Sequence, residues 1–311
     1  MNHPVESIPH LPVLYHEVLD ALRPESGKCY VDGTLGAGGH AEGVLLHSEP
    51  LGVLLGLDLD PDALAISTNR LSPFGERVVI KQASYQHLPD ILKDLGWQQV
   101  HGILLDLGVS SMQIDQPERG FSFQTEGPLD MRFDQGSGVS AADLINTLSE
   151  ARLAQLLWEY GEERFARRIA RSIVANRPLS TTTELADLIR KATPGSVSRI
   201  NPATRTFQAL RIATNQELET LSQSLPNLVS CLAPGGRIAV ISFHSLEDRI
   251  VKQFFRRESQ DCICPPEQPV CTCGHRASLN MISKKPIRPT QAEINENPRS
   301  SSARLRVAEK K

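Results

Sequence analysis

The chain has 311 residues, 40% of them hydrophobic, and a formal net charge of −3, ordinary values for a globular protein that buries a full core in one large or two modest domains. No apolar run reaches the ~20 residues of a membrane helix, and Met1-Asn-His-Pro-Val-Glu6 lacks the basic and apolar regions of a secretory leader. No membrane-spanning helix is expected, and a cytoplasmic location is expected by default.

The first strand signal, 29–32, ends in Asp32 and runs into Gly33-Thr-Leu-Gly-Ala-Gly-Gly-His40. Glycines at this point let the backbone turn sharply and approach a ligand closely. The second strand, 53–58, ends in Asp58, with Asp60 just beyond, and a carboxylate there can accept hydrogen bonds from both hydroxyls of a ribose. This is a nucleotide-cofactor pocket with two readings. Gly36-Ala37-Gly38-Gly39-His40-Ala41 satisfies the dinucleotide pattern G-x-G-x-x-A, so an NAD(P)-dependent oxidoreductase competes. Asp32, directly before the turn, would repel a pyrophosphate but attract the ammonium and sulfonium of S-adenosylmethionine, which favours that cofactor.

Further strand signals follow at 77–83 and 102–107, the latter ending Asp106-Leu-Gly-Val-Ser-Ser-Met-Gln113. Asp32, Asp58 and Asp106 thus close successive parallel strands, at the sheet edge where doubly wound folds hold their ligands. Next comes Arg119-Gly-Phe-Ser-Phe-Gln-Thr-Glu-Gly-Pro-Leu-Asp-Met-Arg-Phe-Asp134, in which Phe121 and Phe123 either stack a base or anchor the loop, with Arg119 and Arg132 set for phosphate.

The α/β rhythm then stops. Helical periodicity takes over at 141–147, 150–160, 163–176, 183–192 and 202–219, with cap signals at Ser140, Ser149 and Thr181-Thr-Thr-Glu184. Residues 151–211 hold eleven basic against five acidic side chains, a net +6 that leaves −9 on the rest of the chain. Such a segment suits a polyanionic partner, or it is a solvated helical face with pairs such as Glu163 with Arg167. Asn201 reads as an N-cap with Pro202 at the first helical position, and Arg205 lies one turn in, fit for a phosphate.

A fifth strand, 237–243, follows the turn Ala233-Pro-Gly-Gly236 and brings His244 and Ser245 to the same edge, with His244 as a neutral hydrogen-bonding group for substrate or a cap for the next helix. The architecture is therefore a doubly wound α/β sheet, residues 1–112 and 217–311, interrupted by an all-helical insertion at 113–216. Two late strands, 279–286 and 304–309, suit an antiparallel hairpin at the sheet edge. Cys262-x-Cys264 and Cys271-x-Cys273 sit in a Pro-rich loop. With His275 they make a tight cluster that is a mobile reduced-thiol loop, a zinc site or, in a reducing compartment least of all, a disulfide; zinc sites usually space cysteines by two or more residues, so the spacing favours the thiol loop. Cys29 and Cys231 read as core.

The stretches 31–40, 102–111, 119–134, 160–171, 201–212, 242–252 and 297–309 resemble the bacterial small-subunit ribosomal RNA methyltransferase H family, also called MraW. The resemblance spans nearly the whole chain. It implies a Rossmann-like fold that uses S-adenosylmethionine to methylate the exocyclic N4 of a cytidine in the decoding region of 16S rRNA, in the small subunit or a late assembly intermediate. It implies cofactor roles for Gly38, Gly39, His40, Asp58, Tyr85, Asp106 and Gln113. Tyr85 stands where the family commonly has Phe, and both stack an adenine. With Asp106 as the expected catalytic carboxylate, the substrate-binding candidates are Arg132, Asn201, Arg205 and His244. A ribosome assembly factor without turnover is the remaining alternative, and a second copy of the chain is a candidate partner.

Overall fold

The computed structural model describes residues 12–193, 201–268 and 270–311. Met1–Glu6, Arg199 and Pro269, which entered the sequence argument, lie outside them. In chain order the regular elements begin α1 (Tyr15–Leu22), β1 (Cys29–Asp32), α2 (Gly39–His47), β2 (Val53–Asp58), α3 (Pro61–Leu71), β3 (Val78–Gln82), α4 (Leu88–Asp94) and β4 (Val100–Asp106). Six helices follow: α5 (Ser111–Asp115), α6 (Ala141–Thr147), α7 (Glu150–Gly161), α8 (Ala166–Ala175), α9 (Thr182–Ala192) and α10 (Ala203–Asn215). The chain continues through α11 (Glu217–Cys231), β5 (Leu232–Ser242), α12 (Ser245–Glu258), β6 (Leu279–Met281), α13 (Gln291–Glu296) and β7 (Arg304–Lys310). Two compact units result, one of Met1–Gly108 with Leu221–Lys311 and one of Val109–Thr220.

In the first unit one sheet runs β3-β2-β1-β4-β5-β7-β6. Its first five strands are parallel, and β7 pairs antiparallel with β5 and β6. Side chains alternate between two apolar layers, as the period of two dictates. Val31, Leu55, Ile103, Leu105 and Val240 face the layer that includes Leu228 and Phe255; Tyr30, Leu54, Leu104, Ala239 and Leu305 face the layer that includes Leu22 and Val44. Because the chain winds outward from β1 to β3 and then returns to β4 on the other side of β1, the strand order reverses between β1 and β4. Their carboxyl ends flank the crevice such a reversal opens.

Several boundaries differ from expectation. The helix read at 202–219 is two helices, broken where Gln216 adopts a left-handed φ of 51°. Strand β5 begins at Leu232, pairs with Val100, and absorbs Pro-Gly-Gly as an irregularity before pairing resumes at Arg237 with Gly102. The late strand at 279–286 shrinks to three residues and forms the sheet's outer edge, while β7 lies inside it.

The helical unit buries Leu153, Leu157, Ile169, Ile173, Leu185, Ile189 and Leu210. Helices α7 and α10 meet at Gly161, where a Cβ would stand 2.6 Å from the Arg205 carbonyl oxygen. Helix α8 starts at Ala166 rather than 163, because Glu162 turns left-handed and the buried Glu163 carboxylate accepts the Phe165 amide at 2.8 Å. Glu163 is thus spent on a helix start instead of the surface pair with Arg167. Among the described residues, no helix is long and apolar enough to cross a membrane.

Candidate active site

The crevice is built by the turn between β1 and α2. Gly36 and Gly38 hold φ of 51° and 78°, a region L side chains rarely adopt. The Gly36 amide donates to Asp58 Oδ2 at 2.8 Å, and Asp58 Oδ1 accepts the Asp60 amide at 2.9 Å. Asp58 therefore ties the tip of β2 to the glycine turn while each oxygen keeps a second lone pair for another donor. The Cβ atoms that Gly38 and Gly39 lack would fill space against Ser67, Leu71 and Pro12, so these two glycines also serve close packing of the turn on the protein itself. At Gly33 a Cβ would meet Leu105 Cδ2 at 2.6 Å and Tyr85 Cβ at 3.0 Å, which seats half-buried Tyr85 beside the turn.

Asp32 and Asp106 end the two strands that flank the crevice. Asp32 is buried and accepts the Thr34 amide at 3.1 Å. Burial, opposed by that bond and aided by Asp58, raises its pKa to about 7. The Asp106 amide donates to Thr34 Oγ1 at 2.6 Å. Its side chain keeps 27% of its exposure, yet Oδ1 is buried and has no hydrogen-bond partner among the described residues. Burial first, then the charges of Asp32 and Glu247, raise Asp106 to about 8. The two carboxyls form a coupled pair short of positive charge.

His40 completes the rim. Its Nε2 lies 3.0 Å from the Val13 carbonyl oxygen, which can only accept, so Nε2 carries the proton. Burial lowers its pKa to about 4, and the neutral ring turns the Nδ1 lone pair toward Asp106 Oδ2, 3.8 Å away. An imidazole lone pair and an orphaned carboxyl facing one crevice suit a cationic donor. They do not suit a pyrophosphate, which two carboxylates would repel.

His244 is also at this edge, as the cap of α12. Its Nδ1 accepts the Glu247 amide at 3.4 Å, and Nε2 lies 3.1 Å from Glu247 Oε1 but off the line of a hydrogen bond. Glu247, which accepts the Phe243 amide at 2.8 Å, escaped the sequence reading. The Glu three residues after the cap was its signal. Thr34 was missed as well, since nothing local marks it as the partner of a strand 72 residues away.

The remaining candidates belong to the helical unit. Gln113 and Ser110 form a capping box at the start of α5, with Ser110 N donating to Gln113 Oε1 at 3.0 Å. Arg132 makes a two-pronged pair with Asp130, at 3.0 and 2.7 Å. Asn201 Oδ1 accepts the Ala203 amide at 2.9 Å, so the helix starts at Ala203 and not at Pro202. Arg205 is exposed and reaches the Glu162 carbonyl at 3.4 Å. Arg119 does not face phosphate: it is buried and donates to the carbonyls of Arg132 and Phe133. Phe121 stacks on Phe133 and Phe123 meets Phe207 edge-on, both packed against the helical core, which makes them anchors of this loop.

A glycine turn, a carboxylate that ties it to the tip of β2, and an acid pair at the reversal of a doubly wound sheet define a Rossmann-like enzyme for a nucleotide cofactor that carries positive charge. The chain belongs to the MraW methylase family, whose model matches residues 7–311, and this leaves no ground for the oxidoreductase reading. A protein of Dehalococcoides mccartyi named ribosomal RNA small subunit methyltransferase H is 54% identical over 302 residues, 97% of this chain and 86% of its own. Proteins of the same name from Syntrophotalea carbinolica and Geobacter sp. are each 52% identical, over 97% and 98% of this chain and 98% and 100% of theirs.

Proposed function

We propose that this protein transfers a methyl group from S-adenosylmethionine to the exocyclic N4 of a cytidine in the decoding region of 16S rRNA, within the small subunit or a late assembly intermediate. The observation that carries the reading is the Asp32–Asp106 pair, which among the described residues has no positive countercharge and leaves one oxygen of Asp106 without a partner. S-adenosylmethionine, when bound, supplies an electrophilic methyl group on a sulfonium.

The chain's own residues do the rest by placement. Asp58 and the glycine turn hold a ribose, Tyr85 covers an adenine face, and Asp32 with His40 Nδ1 and Asp106 receives positive charge. A cytosine amine is a poor nucleophile because its lone pair is delocalised into the ring, so holding it in line is the larger part of the rate enhancement. Asp106 Oδ1, or a carbonyl of the turn at 107–110, accepts an N–H bond as the nitrogen pyramidalises, and the proton passes to the Asp106 carboxylate or to water once the nitrogen is cationic. The helical unit holds the RNA. Exposed Arg164, Arg167, Arg168 and Arg171 on and before α8, with Arg132 and Arg205, meet phosphates, while the target base leaves its stack.

The test is incubation with tritiated S-adenosylmethionine and either free 16S rRNA or small subunits that lack the modification, followed by nucleoside analysis. Labelled N4-methylcytidine from one decoding-region position is expected. Binding without label points to an assembly factor, and label on any other atom refutes the assigned acceptor. Asp106→Asn is expected to slow single-turnover methylation by about 100-fold or more at saturating cofactor. An unchanged rate removes the carboxylate's role.

A further inference from the structure

The segment between α12 and β6 is a long irregular loop, from Ser259 to Ser278, in which none of the described residues is buried. Ile263 and Val270 are exposed, so no apolar core holds the loop together. Its base is pinned: the Ser278 amide donates to the Glu258 carbonyl at 2.9 Å and the Ala277 amide to Asp261 Oδ1 at 3.2 Å. Loops of this length without a core need a staple or lose their shape.

Inside the loop the sulfurs of Cys262, Cys264, Cys271 and Cys273 all lie within 4.8 Å of one another. Two of the spacings are 3.6 Å, Cys271 to Cys273, and 4.0 Å, Cys262 to Cys273. Four thiolates around zinc at ~2.3 Å stand about 3.8 Å apart along each edge of the tetrahedron, which is the spacing found. A backbone amide meets the same cluster, that of His275 donating to the Cys273 sulfur at 3.5 Å. Amide donors to thiolate form the outer layer that orients metal ligands. His275 does not belong to this cluster of ligand atoms, and its Nε2 lies 3.1 Å from the Arg257 carbonyl.

We propose that Cys262, Cys264, Cys271 and Cys273 form a tetrahedral zinc site that staples the loop between α12 and β6. The one-residue spacing within each pair argued against a metal in the sequence, but the two pairs approach from opposite ends of the loop, so each arm supplies two corners. Four thiols release four protons to solvent as they bind one Zn²⁺, which leaves a closed site with charge −2 and no open position for catalysis. The role is structural and independent of methyl transfer.

The full-length chain, purified with reductant and without chelator, is expected to hold about one zinc per chain by elemental analysis. Replacement by Co²⁺ should produce thiolate-to-metal charge transfer and the strong ligand-field bands of a tetrahedral centre. Stripping with a chelator should make four further thiols reactive toward a disulfide reagent and speed tryptic cleavage at Arg276. Cys264→Ser combined with Cys271→Ser should weaken cobalt binding at least about tenfold. The wild-type cobalt spectrum stands whether or not that variant folds. Iron in place of zinc, four freely reactive thiols after zinc addition, or a mass deficit of two hydrogens per pair from disulfides would each overturn the proposal.

Discussion

Proton release on cofactor binding probes the acid pair directly. In the ligand-free protein Asp106 has a pKa of about 8 and Asp32 of about 7. At pH 7 Asp106 is therefore about 0.9 protonated and Asp32 about 0.5, and a cation that drives both to the charged form expels about 1.4 protons from the pair. Calorimetric titration at pH 7 in two buffers of different ionisation enthalpy reads this number from the difference in heat. S-adenosylhomocysteine, which lacks the sulfonium charge, should release fewer protons. Asp106→Asn should cut the release below about 0.5. The dissociation constant should weaken about 50-fold from pH 8 to pH 6 through Asp106 alone. Folding of the ligand-free protein responds with the opposite sign. Both folded pKa values exceed the unfolded ~4, so the stabilisation from these groups is complete below pH 4 and is lost as pH rises through 8. The melting temperature should accordingly fall between pH 5 and 8 without cofactor and flatten when cofactor is saturating. Equal heats in the two buffers, with an affinity independent of pH, would refute the acid-pair argument.

Two packing predictions test the frame. Gly161→Ala forces a methyl against the Arg205 carbonyl and the Ala209 Cβ, 3.2 Å away. It should cost about 1–3 kcal/mol in denaturant titration, with no loss if α7 and α10 can part freely. Asp248 on α12 accepts from Arg306 at 2.6 Å and Arg304 at 3.2 Å, with side chains only 13% and 8% exposed for Asp248 and Arg306. Asp248→Ala strands Arg306 and should cost about 3 kcal/mol, most of it recovered by adding Arg306→Met; a double-mutant cycle that shows no coupling would remove this tie between β7 and α12.

The sheet, the glycine turn and the acidic strand ends were readable in the sequence because each depends on neighbours within a few residues. Apolar runs of strand length, a Gly-rich turn and a terminal Asp are local signals, and a parallel sheet with a reversal in strand order turns that local rule into a common edge. Features made by partners far apart along the chain were not readable. Arg119 looked like a phosphate ligand, yet the carbonyls of Arg132 and Phe133 draw it inside. Gln216 breaks a helix in a left-handed conformation that no glycine announces. The composition of the crevice and its chemistry were thus determined by sequence, in the sense that Asp32, Asp58 and Asp106 stand at three strand ends. Their charge state was decided only by the tertiary structure, which takes them out of water and sets Asp32 beside Asp58 and Asp106 beside Asp32 and Glu247. The same holds for the cysteines, whose sulfurs meet only when both arms of the loop close, since a distance between residues seven apart or more is a property of the folded path and not of the spacing.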